Sequence, residues 1–187
     1  MYMLAHQVTS RIQLAVPRPA LDGPDLFALL AKEPDYYARY LPWVAQTTTA
    51  ADEVAFLQQT NRHLGQGTSL NLVILVAGVT AGMISCNRFD QLNQSADIGY
   101  WLGRAYQGQG IMTTAVKGLC DLVFSDYAVN RLVIRAAVEN TASNAVAQRA
   151  GFQPEGILRQ NEKLADGFHD EQQYSYLKTD WLAAKGL

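Results

Sequence analysis

From Arg11 to Val16 polar and apolar residues alternate, and Pro17 and Pro19 close the run, which predicts a first strand. Pro24 then opens a helix through Leu26, Phe27, Leu29 and Leu30, and Pro34 ends it. Thr49 with Asp52 three residues on predicts a capped second helix, with Val54, Phe56 and Leu57 as its buried stripe and His63 near its end. From Leu70 the period changes. Two β-branched apolar runs flank Ala77-Gly78, so a hairpin of antiparallel strands is expected. A polar loop from Asp90 to Ser95 leads to another strand, Ile98 to Leu102, so three consecutive strands precede the next helix. That helix starts at Ile111 and gathers Met112, Val116, Leu119, Val123 and Phe124 on one face, before a strongly branched strand from Arg131 to Val138. Strand, helix, strand makes one parallel, right-handed unit. Asn140 or Thr141 caps a short helix that stops at Gly151, and Phe152–Leu158 and Gln172–Leu177 supply two final strands. The predicted fold is α/β, with a mixed, mostly antiparallel sheet of about seven strands and flanking helices.

A chain of 187 residues, 49% of them hydrophobic, has room for one substantial core, so a single domain over residues 1–187 is expected, its core running over about residues 10–180. No repeat, low-complexity tract or linker interrupts it. A net charge of −2, with its cations scattered, gives no footprint for nucleic acid. Cys86 and Cys120 lie far apart in apolar surroundings, which argues against zinc or a disulfide and for a reducing cytoplasm. The first residues, MYMLAHQVTSR, hold no long apolar core, and the longest apolar run, Leu72 to Val79, is far too short to span a bilayer. Neither export nor a membrane is expected. A homodimer stays open.

The chemistry concentrates between the third strand of that run and the helix at Ile111, where the chain reads Gln107-Gly108-Gln109-Gly110. Two glycines at a strand-to-helix junction let successive backbone N–H groups turn toward one point, and the helix start adds its positive end, so the junction favours a phosphate. Gly108-x-Gly110-x-x-Thr113, with Glu139 after the next strand, also approaches the fingerprint of a dinucleotide-binding oxidoreductase. The third glycine is missing, and the antiparallel run upstream is not the strand-helix alternation such a domain requires. His169 beside Asp170 and Glu171 resembles part of a hydrolase triad, but a polar loop before a strand explains it. Tyr36 to Trp43 packs three tyrosines and a tryptophan beside Pro42, and Tyr40 and Trp43 are candidates to line an acceptor groove.

Taken together, IGYWL, YQGQGIMT and ENTASNAVAQRAGF resemble the GNAT superfamily of N-acetyltransferases, and most of all its RimJ/RimL branch of ribosomal-protein N-terminal acetyltransferases. The resemblance implies a sheet in which a central parallel pair splays apart and acetyl-coenzyme A lies in the gap, with no metal. It implies that backbone amides of Gln107, Gly108, Gln109, Gly110, Ile111 and Met112 hold the diphosphate, that Thr113 adds a hydroxyl, and that Trp101 and Leu102 pair with pantetheine through their backbone. Where the family opens this loop with Gln or Arg, this chain has Ala105, so the backbone is expected to carry the contact alone. Asn140 would touch pantetheine, Ser143 would donate to the departing thiolate, and Glu162, read otherwise as a solvated loop carboxylate, would be the base. A backbone N–H around Gly99 and Tyr100 would face the oxyanion. The implied acceptor is a protein N-terminus, a ribosomal one first. A small amine such as an amino acid, polyamine or antibiotic is the alternative, and a coenzyme A-binding module without turnover is another.

Overall fold

The computed structural model describes Tyr2 and residues 4–186. Its centre is one sheet of eight strands in the order β1-β2-β3-β4-β5-β6-β8-β7. The strands are β1 (Ala5–Gln7), β2 (Ile12–Ala15), β3 (Leu70–Val76), β4 (Val79–Asp90), β5 (Ser95–Leu102), β6 (Arg131–Ala137), β7 (Gln153–Leu164) and β8 (Gly167–Leu177). Among them β5 and β6 form a parallel pair, and every other pairing is antiparallel. The hairpin turns at Ala77 and Gly78, both with positive φ, as the sequence predicts. The strand beyond the expected seven is β1, three largely exposed residues paired to β2 and too short to leave a period.

Strand side chains alternate between two faces, and each face has its own core. Against one lie α4 (Ile111–Asp126) and α5 (Thr141–Ala150), where Val116, Leu119, Val123 and Phe124 meet Leu14, Leu72, Ile84, Ile98 and Ile134. Against the other lie α1 (Pro19–Ala31) and α3 (Ala50–Gly65), where Leu26, Leu30 and Leu57 meet Val73, Leu75, Met83 and Trp101. A short α2 (Pro34–Ala38) and a 3-10 turn (Pro42–Gln46) follow α1, and α6 (Lys178–Lys185) ends the described chain.

Three local expectations change. The first helix starts at Pro19 and carries Pro24 within it. Its first turn is already fixed by Asp22, fully buried, whose carboxylate accepts from the Arg18 backbone N–H at 2.6 Å, from the Arg18 guanidinium at 2.9 Å and from the Tyr2 hydroxyl at 2.7 Å. In α3 the Thr49–Asp52 capping box forms as predicted, but the buried stripe is Glu53, Leu57 and Thr60, at helical spacing. Phe56 falls off that face and is 45% exposed. The segment RQNEKL is strand rather than loop, so β7 and β8 are both longer than their apolar residues indicate.

Candidate functional site

The parallel pairing of β5 with β6 runs only from Ser95 opposite Arg131 to Ile98 opposite Ile134. Beyond it Gly99–Leu102 stay bonded to β4, and Arg135–Ala137 stay bonded to β8. The two strands therefore part, and each turns unpaired backbone groups of one edge into a gap. An extended chain entering there could take ladder bonds from β5 as a short added strand. A cleft of about 1690 Å³ passes through the gap from the glycine loop to the α1/α3 face of the sheet. It is lined by Tyr40, Trp43, Trp101, Leu102, Gln107, Gly108, Gly110, Ile111, Met112, Thr113, Asn140, Ser143 and Glu162, residues spread over more than a hundred positions of sequence. Of the predicted site residues Gln109 lies off the wall. Its side chain donates to the Ala105 carbonyl at 2.8 Å, which leaves it a backbone part.

At the loop end Gly108 and Gly110 have φ of 71° and 73°, and Gly110 is the N-cap of α4. No side chain caps this helix and no acidic residue occupies its first turn. The first helical bond is Thr114 N–H to the Gly110 carbonyl at 3.0 Å, so the N–H groups of Ile111, Met112 and Thr113 have no intrahelical acceptor. A Cβ on Gly108 or Gly110 would meet nothing within 4 Å, so the glycines serve the backbone turn and leave the approach open. Backbone groups arranged in this way can receive an anion with several oxygens.

The other wall of the gap is the start of α5. Asn140 caps it, accepting from the Ser143 N–H at 3.2 Å, and Gly151 ends it with φ of 100°. The Ser143 hydroxyl lies 3.0 Å from the Tyr100 hydroxyl. The sequence points to the backbone of Tyr100 alone. Its side chain shares the face of Ile98 and Leu102, a period-2 signal in IGYWL that reads as core until α5 is placed above it.

Glu162 reaches the cleft because of a bulge. Leu158 pairs with Glu171 and Glu162 with His169, so three residues of β7 oppose Asp170 alone. Within the bulge Gln160 has φ of 50° and its N–H donates to the Asp170 carboxylate at 2.8 Å, while the Asn161 amide donates to Glu171. Glu162 is half-buried, and burial, with the nearby Glu171 carboxylate as a second cause, holds its carboxyl above the ordinary carboxylate range. His169 sits in β8 rather than in a loop, 2.8 Å from Asp166 and 3.5 Å from Glu139, which raise its pKa. Glu139, the counterpart of a ribose-binding acid in the dinucleotide reading, lies against this histidine.

On the α1/α3 side the aromatic segment forms a wall. Trp101 is buried against Tyr37 at 5.9 Å between ring centroids and Trp43 at 6.4 Å, and the Tyr40 hydroxyl donates to the Glu139 carbonyl at 3.2 Å. The segment is tied to the glycine loop as well. Tyr36 donates to Gln107 Oε1 at 2.7 Å, Tyr37 accepts from the Arg104 N–H at 2.8 Å, and Arg104 pairs with Glu33. Gln107 in turn donates to the Leu102 carbonyl at 2.9 Å, which keeps a second lone pair for another donor. Among the described residues no three His, Cys, Asp or Glu converge as metal ligands, and no helix is long and apolar enough to cross a membrane.

Comparison with known proteins gives concordant matches. Residues 11–153 match the family model described as the acetyltransferase (GNAT) domain. The ribosomal-protein-serine acetyltransferase of Escherichia coli (strain K12) is 35% identical over 151 residues, 80% of this chain and 84% of its own. YdaF of Bacillus subtilis (strain 168) is 31% identical over 185 residues, 98% of this chain and all of its own length. Among solved structures, RimL, a ribosomal L7/L12 α-N-protein acetyltransferase in complex with coenzyme A, superposes with a TM-score of 0.88 at 29% identity, covering 92% of this chain and 97% of its own. The Microcin C7 self-immunity acetyltransferase MccE, in complex with acetyl-CoA and AMP, gives 0.87 at 32% identity, covering 91% and 94%.

Proposed function

The chain belongs to the GNAT family of acetyltransferases, and from that membership we propose that it carries the acetyl group of acetyl-CoA to the N-terminal α-amine of a protein, a ribosomal protein first. The observation that carries the reading is the opening of β5 from β6 directly above the uncapped start of α4, a slot for an extended thiol-bearing arm that ends at a nest for its diphosphate. In this reading the N–H groups from Gly108 to Met112 take the phosphate oxygens and the Thr113 hydroxyl adds a contact, whereas the Gln107 N–H, expected to join them, already donates to the Arg104 carbonyl at 3.1 Å. Backbone groups of Trp101 and Leu102 take the amides of pantetheine. The thioester then lies between Ser143 on one side and Glu162 on the other.

Transfer requires a neutral amine. The amine nitrogen attacks the thioester carbonyl carbon, the oxygen takes the charge until the C–S bond breaks, and the surplus proton of nitrogen must leave. Glu162 suits the last task, because a carboxylate with a raised pKa is the better proton acceptor. Ser143 donates a hydrogen bond to the departing sulfur, and a backbone N–H near Gly99 and Tyr100 faces the oxyanion. The acceptor follows from the same chemistry. An α-amine has a reference pKa near 7.8 against about 10.4 for lysine, so it is neutral several-hundred-fold more often at neutral pH and suits one carboxylate base. The relatives named for ribosomal proteins support this choice, and a ribosomal acceptor places the enzyme in the cytoplasm.

A small amine is the second reading, favoured by the likeness to MccE, whose complex holds the small molecule AMP together with acetyl-CoA, and by the aromatic wall at Tyr40 and Trp43. An acceptor screen separates them. N-terminal peptides and small amines are incubated with acetyl-CoA and read by mass spectrometry. Acetylation confined to peptide α-amines supports the first reading, acetylation confined to small amines establishes the second, and no transfer to any amine leaves a coenzyme A-binding module.

A further inference from the structure

Ser143 is not free to aim its hydrogen. Its hydroxyl lies 3.0 Å from that of Tyr100, and the Tyr100 hydroxyl also donates to the Ser143 carbonyl at 3.2 Å. Counting hydrogens limits what the pair can do. Tyr100 has one hydroxyl hydrogen, and a carbonyl can only accept. While that hydrogen sits on the Ser143 carbonyl, the contact between the two hydroxyls is made by the serine hydrogen, which then points at the tyrosine and away from the cleft. If the tyrosine hydrogen turns to the serine oxygen instead, the serine hydrogen is released toward the cleft.

We infer that Tyr100 is a positioning residue for acetyl transfer, which turns its O–H onto the Ser143 oxygen as the sulfur departs and so directs the serine hydrogen at the leaving thiolate. The inference rests on the acetyl-transfer reading above and on the part it gives Ser143. Donation into the serine oxygen also polarises the serine O–H, because hydrogen bonds in a chain strengthen one another. No proton changes owner within the pair. Burial pushes the Tyr100 phenol up to about 12, so it remains a donor.

The geometry is held on both sides. Tyr100 lies in β5 opposite Ile84 of β4, with its ring on the core side, and Ser143 is fixed in the first turn of α5 by the Asn140 cap. The bond therefore spans the place where β5 and β6 have lost their ladder. A structural reading, in which the Tyr100 O–H bond to the Ser143 carbonyl acts as a clasp across the gap, is the competing explanation, and it predicts a loss that does not depend on the serine hydroxyl.

Steady-state kinetics with acetyl-CoA and the best acceptor from the screen, on wild type, Tyr100→Phe, Ser143→Ala and the double variant, distinguish the two. Tyr100→Phe keeps the ring and removes the hydroxyl, and should lower kcat by about 3- to 10-fold, the range for one net hydrogen bond, with KM for acetyl-CoA changed by less than about twofold. In the Ser143→Ala background the same change should cost less than about 1.5-fold, because coupled residues are not additive. Ser143→Thr keeps a hydroxyl and should restore sensitivity to Tyr100→Phe. Full turnover in Tyr100→Phe while Ser143→Ala is slow overturns the inference, as does an equal loss in both backgrounds. Ser143→Ala turning over like wild type is a different failure, which removes Ser143 itself from the mechanism, and the inference with it.

Discussion

Glu53 provides a test of the packing by pH. It stands in the first turns of α3, 1% exposed on the stripe it shares with Leu57, and its Oε1 has no hydrogen-bond partner. Burial raises its carboxyl from 4.5 to about 7. A carboxyl whose folded pKa lies above its unfolded one adds most to stability when it is protonated in both states, below pH 4.5, and that contribution is lost as pH rises through about 7. With these two values the ionisation penalty on the folded state is about 1 kcal/mol near pH 5 and about 3 kcal/mol near pH 8.5. Glu53→Gln removes the penalty and keeps the shape. Whatever the amide itself costs in that site is the same at both pH values, so the informative quantity is the change in the variant's advantage, about 2 to 3 kcal/mol. For a chain of this size that is a rise of roughly 5–10 °C in the melting-temperature difference between the two pH values. Thermal unfolding of both proteins, followed by circular dichroism near pH 5 and pH 8.5, measures it. A difference that stays constant within about 2 °C would refute the reasoning, because an ionising buried carboxylate cannot leave the pH dependence unchanged.

Glu162→Gln should keep coenzyme A affinity and cut turnover by about 100- to 10,000-fold, and turnover within about threefold of wild type at neutral pH would remove Glu162 as base. The acidic limb of kcat/KM should lie above the ordinary carboxylate range, since activity is lost as pH falls through the raised Glu162 pKa, and Glu171→Gln should move that limb down. Ser143→Ala should slow transfer while leaving the melting temperature nearly unchanged, because the capping bond from Asn140 ends on a backbone N–H that alanine keeps. Gly110→Val forces a branched residue to φ of 73° and should weaken acetyl-CoA and dephospho-coenzyme A alike by roughly 100-fold, the loss of two charge-assisted bonds, while pantetheine binding barely changes. Isothermal calorimetry on the folded variant reads this, and unchanged affinity would detach the loop from the diphosphate.

How far these positions could be read from residues alone varies with what fixes each one. The glycine loop was legible because a left-handed backbone leaves little choice of residue. The Thr49–Asp52 cap was legible because its partners are three residues apart. Elements held by distant partners were not. The last helix, α6, is polar, and it is anchored by Trp181 donating to Asp121 at 2.7 Å and Lys185 at 2.9 Å from the same carboxylate, contacts some sixty positions away in the chain. Pro24 reads as a helix start until the buried Asp22 is seen to fix the turn before it. Glu162 was named through resemblance, yet its surroundings read as loop, because both faces of β7 are largely exposed and the bulge erases the period of two. The contact of Tyr100 with Ser143 joins two elements across a gap and has no local signature at all.

The aromatic wall and the glycine loop are fastened to each other through Tyr36 with Gln107 and Tyr37 with Arg104. Two ligands that lean on opposite ends of such a brace do not meet independent surfaces. If an anion shifts the Gln107 side chain or stiffens the loop, the Tyr36 hydroxyl must follow or lose its acceptor, and the wall that receives the second molecule is altered before that molecule arrives. Linkage makes the effect mutual, so whatever settles against Tyr40 and Trp43 changes the grip on the diphosphate by the same factor. Cooperation between two ligands can thus be written into a protein by two hydrogen bonds that touch neither reacting group.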